Sequence, residues 1–139
     1  MDHLIITSHA GWVELTLNRP EAKNALNTAT LAALAAALAQ IAADPAVQVA
    51  VIQGSNGNFA AGADIAEIEH KTTAEGAADP RKQHWATIRG FAKPLIAAVD
   101  GFALGGGFEL ALMANCMLLG QTARLGLLET NLGLISGEC

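Results

Sequence analysis

The chain has 139 residues, the length of one domain, and a formal net charge of −5 at pH 7. Its hydrophobic share of 52% and charged share of 15% exclude an intrinsically disordered chain, which needs low hydrophobicity and high charge. The acidic charge and the 4% of aromatic residues argue against a nucleic-acid binder, which needs a basic face and stacking side chains. So many apolar residues predict a surface that is buried against another subunit or segment.

Cysteine and histidine placement excludes several kinds of site. Cys116 and Cys139 form no C-x-x-C pair, so neither a zinc ribbon nor a redox motif is predicted, and free thiols favour the cytoplasm. The histidines lack metal-ligand spacing, and we expect no metal site: His3, His9, His70 and His84. The N-terminus does not resemble a signal peptide, and no apolar run is long enough to span a membrane.

The predicted elements alternate between strands and helices. The pattern of the first half predicts a hairpin (residues 4–8 with 12–17), a turn (18–21), a helix (28–43) and a buried strand (47–53). The helix is capped by Asn27 or Thr28 and ends at Asp44.

The second half continues the alternation. It begins with a loop (residues 54–58), a short helix (64–69), a surface loop (70–80) and a helix (81–91). A strand (95–99), a glycine-rich turn (101–107), a helix (108–114) and a strand (116–119) follow. Two of the predicted strands are continuously apolar. This pattern predicts an α/β fold whose sheet is covered on both faces.

Two glycine-rich or small-residue segments precede predicted helices. Gly105–Gly107 is neither a dinucleotide fingerprint, since Leu110 replaces the third glycine, nor a P-loop, since Phe108 stands where Ser or Thr is needed. The segment is either a tight turn with close packing or a backbone oxyanion hole at a helix N-terminus. Ala61–Asp64 has the same design, with Asp64 as an N-cap and Ala63 as a second N–H donor.

Glu109 and Glu129 are carboxylates in apolar surroundings. Each has an ordinary interpretation, Glu109 as an acid at the start of a helix and Glu129 as a surface residue at the end of a strand. Together they form a candidate general acid/base pair, because burial raises the pKa of a carboxyl toward the working pH.

Four segments carry a resemblance to the enoyl-CoA hydratase/isomerase (crotonase) superfamily: residues 18–26, 59–65, 93–110 and 129–135. The chain resembles this family over essentially its whole length. The resemblance implies an α/β fold of the ClpP/crotonase type, a spiral of β-β-α units that is incomplete at its C-terminus. Residues 1–139 would form the N-terminal domain, without the C-terminal trimerisation helices. Leu127–Leu128 and Ser136–Gly137 depart from the family's usual Gln-Pro and Pro-Gly.

The resemblance also implies a site. The backbone N–H groups of Ala63 and Gly106 would form the oxyanion hole that holds the thioester oxygen of an acyl-CoA. Substrate-binding positions would be Lys23, Ala25, Ala61, Ala63, Asp64, Ile65 and Gly106. No cofactor is implied beyond the coenzyme A thioester substrate, and the family's assembly is a homotrimer or a dimer of trimers.

The implied reaction is hydration of a 2-enoyl-CoA. Glu109 would orient and deprotonate a water molecule, and Glu129 would give a proton to the α-carbon. Because both acids are present, hydration is favoured over double-bond isomerisation, although isomerisation or other acyl-CoA chemistry remains an alternative. Such enzymes serve fatty-acid metabolism and aromatic-acid degradation. A third alternative is a truncated, non-catalytic chain that acts by association.

Overall fold

The computed structural model of the chain describes residues 2–62 and 80–127. Strands within these ranges are β1 (Leu4–Ser8), β2 (Trp12–Leu17), β3 (Val49–Gly54), β4 (Leu95–Val99), β5 (Phe102–Leu104), β6 (Cys116–Leu119) and β7 (Arg124–Gly126). The main sheet has the order β1-β2-β3-β4-β6, and a smaller sheet joins β5 to β7. β1 and β2 form the predicted antiparallel hairpin, whereas every other pairing of named strands is parallel.

Three α-helices connect these strands in the described ranges: α1 (Thr28–Ala43), α2 (Pro80–Arg89) and α3 (Gly106–Leu112). A 3-10 turn at Pro20–Ala22 follows the hairpin. The predicted N-cap of α1 is Asn27, whose side-chain Oδ1 accepts from the Thr30 N–H at 2.8 Å. α3 begins two residues earlier than predicted, because two glycines form its first turn. The predicted helix at 64–69 and most of the loop at 70–80 lie outside the described residues.

One face of the main sheet is buried and the other is half-exposed. Alternate strand residues such as Leu15, Leu17 and Ile52 are buried in one cluster with Leu31 and Leu34 of α1. Their neighbours along β2, β3 and β4 point to the opposite face and stay only partly buried. The predicted coverage of both faces is therefore wrong for the part of the chain that the structure describes. A continuously apolar strand still alternates its side chains between two faces.

Lys93 joins the end of α1 to the start of β4. Its Nζ donates to three backbone carbonyls, those of Ile41 at 2.7 Å, Asp44 at 2.6 Å and Val47 at 2.7 Å. The last carbonyls of a helix lack intrahelical partners and lie at the negative end of its dipole. The ammonium satisfies the end of α1 and fixes the direction in which the chain enters β3.

We expect Lys93→Met to lower the free energy of unfolding by about 1–3 kcal/mol, because it removes three hydrogen bonds from a charged donor. Urea denaturation measures the change. Lys82→Met, on the exposed side of α2, is the control and should change stability by less than about 0.5 kcal/mol. Equal effects of the two substitutions would contradict the capping role.

Candidate active site

Residues 59–62 run beside β5 in parallel. Ala60 and Ala103 form a parallel bridge. The N–H groups of Phe59 and Ala60 donate to the Phe102 carbonyl at 3.0 and 2.9 Å, and the Leu104 N–H donates to the Ala60 carbonyl at 3.0 Å. These bonds set the register between the two segments.

The other edge of residues 59–62 is bonded to the loop that follows the 3-10 turn. The Ala61 N–H donates to the Lys23 carbonyl at 3.0 Å, and the Leu26 N–H donates to the Gly62 carbonyl at 2.6 Å. Residues 59–62 are therefore held on both edges by main-chain hydrogen bonds, between the loop at 23–26 and β5.

The two predicted oxyanion donors occupy matching sequence positions after the two paired segments. Ala63 and Gly106 each come three residues after a member of the Ala60–Ala103 bridge. Parallel segments in register present their carboxyl ends at one edge. Gly106 is buried as the first residue of α3, where N–H groups have no intrahelical acceptor. Ala63 lies outside the described residues, together with Asp64 and Ile65.

Glycine is required at several places along this edge. Gly62 has a φ of +116°, and a Cβ added there would lie 3.1 Å from the Leu104 carbonyl oxygen. Gly105 has a φ of +54° and turns the chain from β5 into α3. A Cβ on Gly107 would overlap the Ala60 carbonyl. Tight turning and close packing thus account for Gly105 and Gly107.

Glu109 lies in the first turn of α3 and is 1% exposed. It is three residues after Gly106. Helical side chains at this spacing share a face and lean toward the helix N-terminus. The carboxylate is therefore on the side of the helix that carries the Gly106 N–H. Its burial distinguishes Glu109 from a simple solvated helix-start acid. Glu129 lies outside the described residues, so the meeting of the two acids stays a prediction.

The predicted substrate-binding positions of the first loop lie beside this edge. Lys23 is exposed, and its Nζ is 5.2 Å from the centroid of the Phe102 ring, within cation–π range. Its carbonyl accepts the Ala61 N–H. The Ala25 carbonyl accepts from Arg19 Nη1 at 2.7 Å. The structure thus joins the loop that carries Lys23 and Ala25 to the segment that carries Ala61, and the role of these residues in substrate binding stays a prediction.

Sequence reasoning missed Asn24 as a residue in its own right. It is 1% exposed and has a φ of +60°, in the left-handed region that asparagine tolerates better than most residues. Asparagine at the end of a turn is a signal of such a conformation, because it tolerates the left-handed region.

Other kinds of site are absent from residues 2–62 and 80–127. In these ranges no three His, Cys, Asp or Glu side chains are grouped so that they could hold a metal ion. None of the helices described here combines the length and apolar character that crossing a bilayer requires.

Fold and site together define an α/β protein with a helix-start backbone amide beside a buried carboxylate. The sequence model of the enoyl-CoA hydratase/isomerase family matches residues 7–139. A 2,3-dehydroadipyl-CoA hydratase of Escherichia coli (strain K12) is 47% identical over 137 residues, which are 99% of this chain and 54% of the relative. A probable enoyl-CoA hydratase of Rhizobium meliloti is 46% identical over 88% of this chain and 48% of its own.

Solved structures agree with the sequence relatives. An enoyl-CoA hydratase subunit I from Geobacillus kaustophilus HTA426 superposes with a TM-score of 0.93 at 33% identity, over 99% of this chain and 53% of its own. The chain belongs to the enoyl-CoA hydratase/isomerase family. The predicted α/β class with crotonase-type β-β-α units is confirmed. The chain spans about half the length of the curated relatives it matches.

We expect Gly107→Ala to destabilise the chain by about 1–3 kcal/mol, because the new methyl group must push α3 away from residues 59–62. Thermal unfolding measures the loss. Gly126→Ala is the matched control, since its Cβ would make an ordinary 3.7 Å contact with Leu104 Cδ2 and should change stability by less than about 1 kcal/mol. A harmless Gly107→Ala would mean that α3 does not need this close approach.

Proposed function

We propose that the chain carries the site of an enoyl-CoA hydratase, which adds water across the α,β double bond of a 2-enoyl-CoA. The hydroxyl goes to the β-carbon and a proton goes to the α-carbon, so the product is a 3-hydroxyacyl-CoA. The observation that carries the proposal is the parallel register of residues 59–62 with β5, followed by α3 with its buried Glu109. Family membership and the names of the relatives support the reaction class.

In this proposal the N–H groups of Ala63 and Gly106 donate to the thioester carbonyl oxygen. Addition at the β-carbon places negative charge on that oxygen, as an enolate. Donors that are fixed before the reaction stabilise this charge without reorganising, and they are most effective where water is excluded. Small residues suit both positions because the donor is the main chain.

Glu109 is the proposed base that orients the water and takes its proton, and Glu129 is the proposed acid for the α-carbon. Glu109 is 1% exposed, and a carboxylate kept away from bulk water suits a base that acts on a single bound water. Two acids that share one water titrate together, so we assign the reaction to the pair.

The proposed substrate site extends from this edge along the first loop. Lys23 and Ala25 would contact the nucleotide end of coenzyme A, and the N–H groups of Ala63 and Gly106 would contact the thioester oxygen. Ala61, Asp64 and Ile65 would belong to the second CoA-binding segment. The exposed ammonium of Lys23 beside the Phe102 ring supplies positive charge for a phosphate-bearing substrate. The proposal needs no cofactor besides the acyl-CoA itself.

We place these residues as the N-terminal crotonase-like domain of a cytoplasmic enzyme that assembles as a homotrimer or a dimer of trimers. The free, exposed thiol of Cys116 suits a reducing compartment. Exposed leucines suit assembly, with 39–57% of each residue accessible: Leu112, Leu118, Leu119 and Leu125. The same surface favours a second candidate function, a non-catalytic chain that acts by association. A well-folded monomer in light scattering would count against both forms of assembly.

Glu109→Gln should lower kcat for hydration of crotonyl-CoA by about 10²-fold or more, because the amide cannot accept the proton of the water. Loss of the ultraviolet absorbance of the conjugated enoyl thioester measures the rate. Glu14→Gln, on the half-exposed face of the main sheet, is the control and should keep the wild-type rate. Unchanged hydration by Glu109→Gln would contradict the proposed role.

A substrate panel separates hydration from the alternative, isomerisation. The wild-type chain should convert 2-enoyl-CoA thioesters, including 2,3-dehydroadipyl-CoA, to 3-hydroxyacyl-CoA products with a mass gain of one water. Conversion of 3-enoyl to 2-enoyl thioesters without a mass change would instead show isomerisation. A chain that hydrates none of these substrates would contradict the hydratase proposal.

A further inference from the structure

The side chain of Asn24 uses all of its ordinary hydrogen-bonding capacity inside the protein. Its Oδ1 accepts from the Arg19 N–H at 2.7 Å and from the Ser55 hydroxyl at 3.3 Å. Its Nδ2 donates to the carbonyls of Ser55 at 3.0 Å and Asn58 at 2.9 Å. A buried amide with both donors and two acceptor sites satisfied has one stable orientation. Asn24 therefore fixes the first loop against the loop that leads into residues 59–62.

Asn58 continues this connection to β5. Its own carbonyl accepts from Asn24, and its side-chain Oδ1 accepts from the Phe102 N–H at 3.0 Å. Phe102 is the first residue of β5, and its carbonyl accepts from the N–H groups of Phe59 and Ala60. Two asparagine side chains thus link three separate stretches of chain: the first loop, residues 55–62 and β5.

These links hold the two segments after which the proposed oxyanion donors come in the chain. Lys23 and Leu26, one residue before and two residues after Asn24, bond the main chain of Ala61 and Gly62. Asn58 directly precedes residues 59–62, and Phe102 is the first residue of β5, the strand that pairs with them. A sliding of residues 59–62 relative to β5 must break the Asn24 or the Asn58 bonds.

We propose that Asn24, with Asn58, is a positioning residue that fixes the register of residues 59–62 against β5, the two segments after which the proposed oxyanion donors come in the chain; the inference rests on the proposed function. Neither side chain needs to touch the substrate. Backbone donors stabilise developing charge only at hydrogen-bond distance, and misplacement by about 1 Å can cost about 10²-fold in rate. Asn58 therefore acts on the charge-bearing transition state and leaves ground-state binding of the acyl-CoA largely unchanged, whereas Asn24 also holds the loop that carries the proposed CoA-binding residues Lys23 and Ala25.

The test uses Asn24→Gly and Asn58→Ala in the full chain. Glycine keeps the left-handed backbone of position 24 and removes all four side-chain bonds. Asn58→Ala removes the acceptor of the Phe102 N–H at a half-buried position, and it keeps the test decisive if Asn24→Gly does not fold. Asn58→Asp restores that acceptor and should restore activity. Lys93→Met is the matched control, since it breaks three hydrogen bonds away from the site.

We expect Asn24→Gly to lower kcat for crotonyl-CoA by about 10²-fold and Asn58→Ala by about tenfold. KM should change by less than about threefold in Asn58→Ala, whereas Asn24→Gly should also raise KM because Asn24 lies between the proposed CoA-binding residues Lys23 and Ala25. The second readout is binding of acetoacetyl-CoA, whose enolate carries negative charge on the thioester oxygen, against butyryl-CoA, which carries none. Both asparagine variants should lose preference for acetoacetyl-CoA over butyryl-CoA, and Asn58→Ala should bind butyryl-CoA as the wild type does. Lys93→Met should keep both values when measured below its unfolding transition.

The outcomes separate the two proposals. A wild-type chain that neither hydrates crotonyl-CoA nor prefers acetoacetyl-CoA would overturn the proposed function, and the positioning role with it. The positioning role alone would be overturned if the wild type works but the asparagine variants keep its kcat, show only a raised KM, or behave like Lys93→Met. Failure of Asn58→Asp to recover activity lost in Asn58→Ala would also overturn it.

Discussion

The pairing of residues 59–62 with β5 is the constraint on which the candidate site depends. Three main-chain hydrogen bonds and the Ala60–Ala103 bridge place two distant parts of the chain side by side, in parallel. Parallel pairing makes both segments end at the same edge, and α3 starts from that edge. A shift of one residue would move one end relative to the other by about 3.3 Å, longer than a hydrogen bond.

The rest of the fold holds this pairing in place. The buried cluster between the main sheet and α1 supplies the apolar burial, and Lys93 joins the end of α1 to the sheet. Glycine at 62 and 107 lets the main chains approach more closely than side chains would allow. At the carboxyl end of this pairing lie the backbone amides at the start of α3 and the turn of α3 that carries Glu109. Such a site suits a reaction in which charge develops on a carbonyl oxygen.

Long elements with a clear hydrophobic period were predictable, and short ones were not. The hairpin, α1, β4 and β6 lie where their patterns indicated, because several residues contribute to each signal. β5 and β7 have three residues each and form only because they pair with each other, and β5 also pairs with residues 59–62. The start of α3 was predicted too late because Gly106 and Gly107 have low helix propensity, and tertiary packing overrides it. Of the candidate site, Lys23, Ala25, Ala61, Gly106 and Glu109 were named from sequence, but Asn24 was not, since its importance lies in contacts with residues 31 to 34 positions away.

The sequence by itself determined the order of the elements, the family, and which residue types are available for chemistry: glycines before a helix and a carboxylate inside its apolar run. Only the tertiary structure decided that Gly106 comes shortly after a strand, β5, that is paired with residues 59–62, and that the side chain of Glu109 in α3 is buried. It also decided that one face of the main sheet stays half-exposed in the described residues. The reason is physical. Periodicity and propensity act over a few neighbouring residues, whereas register and burial arise from hydrogen bonds and packing between segments far apart in the chain.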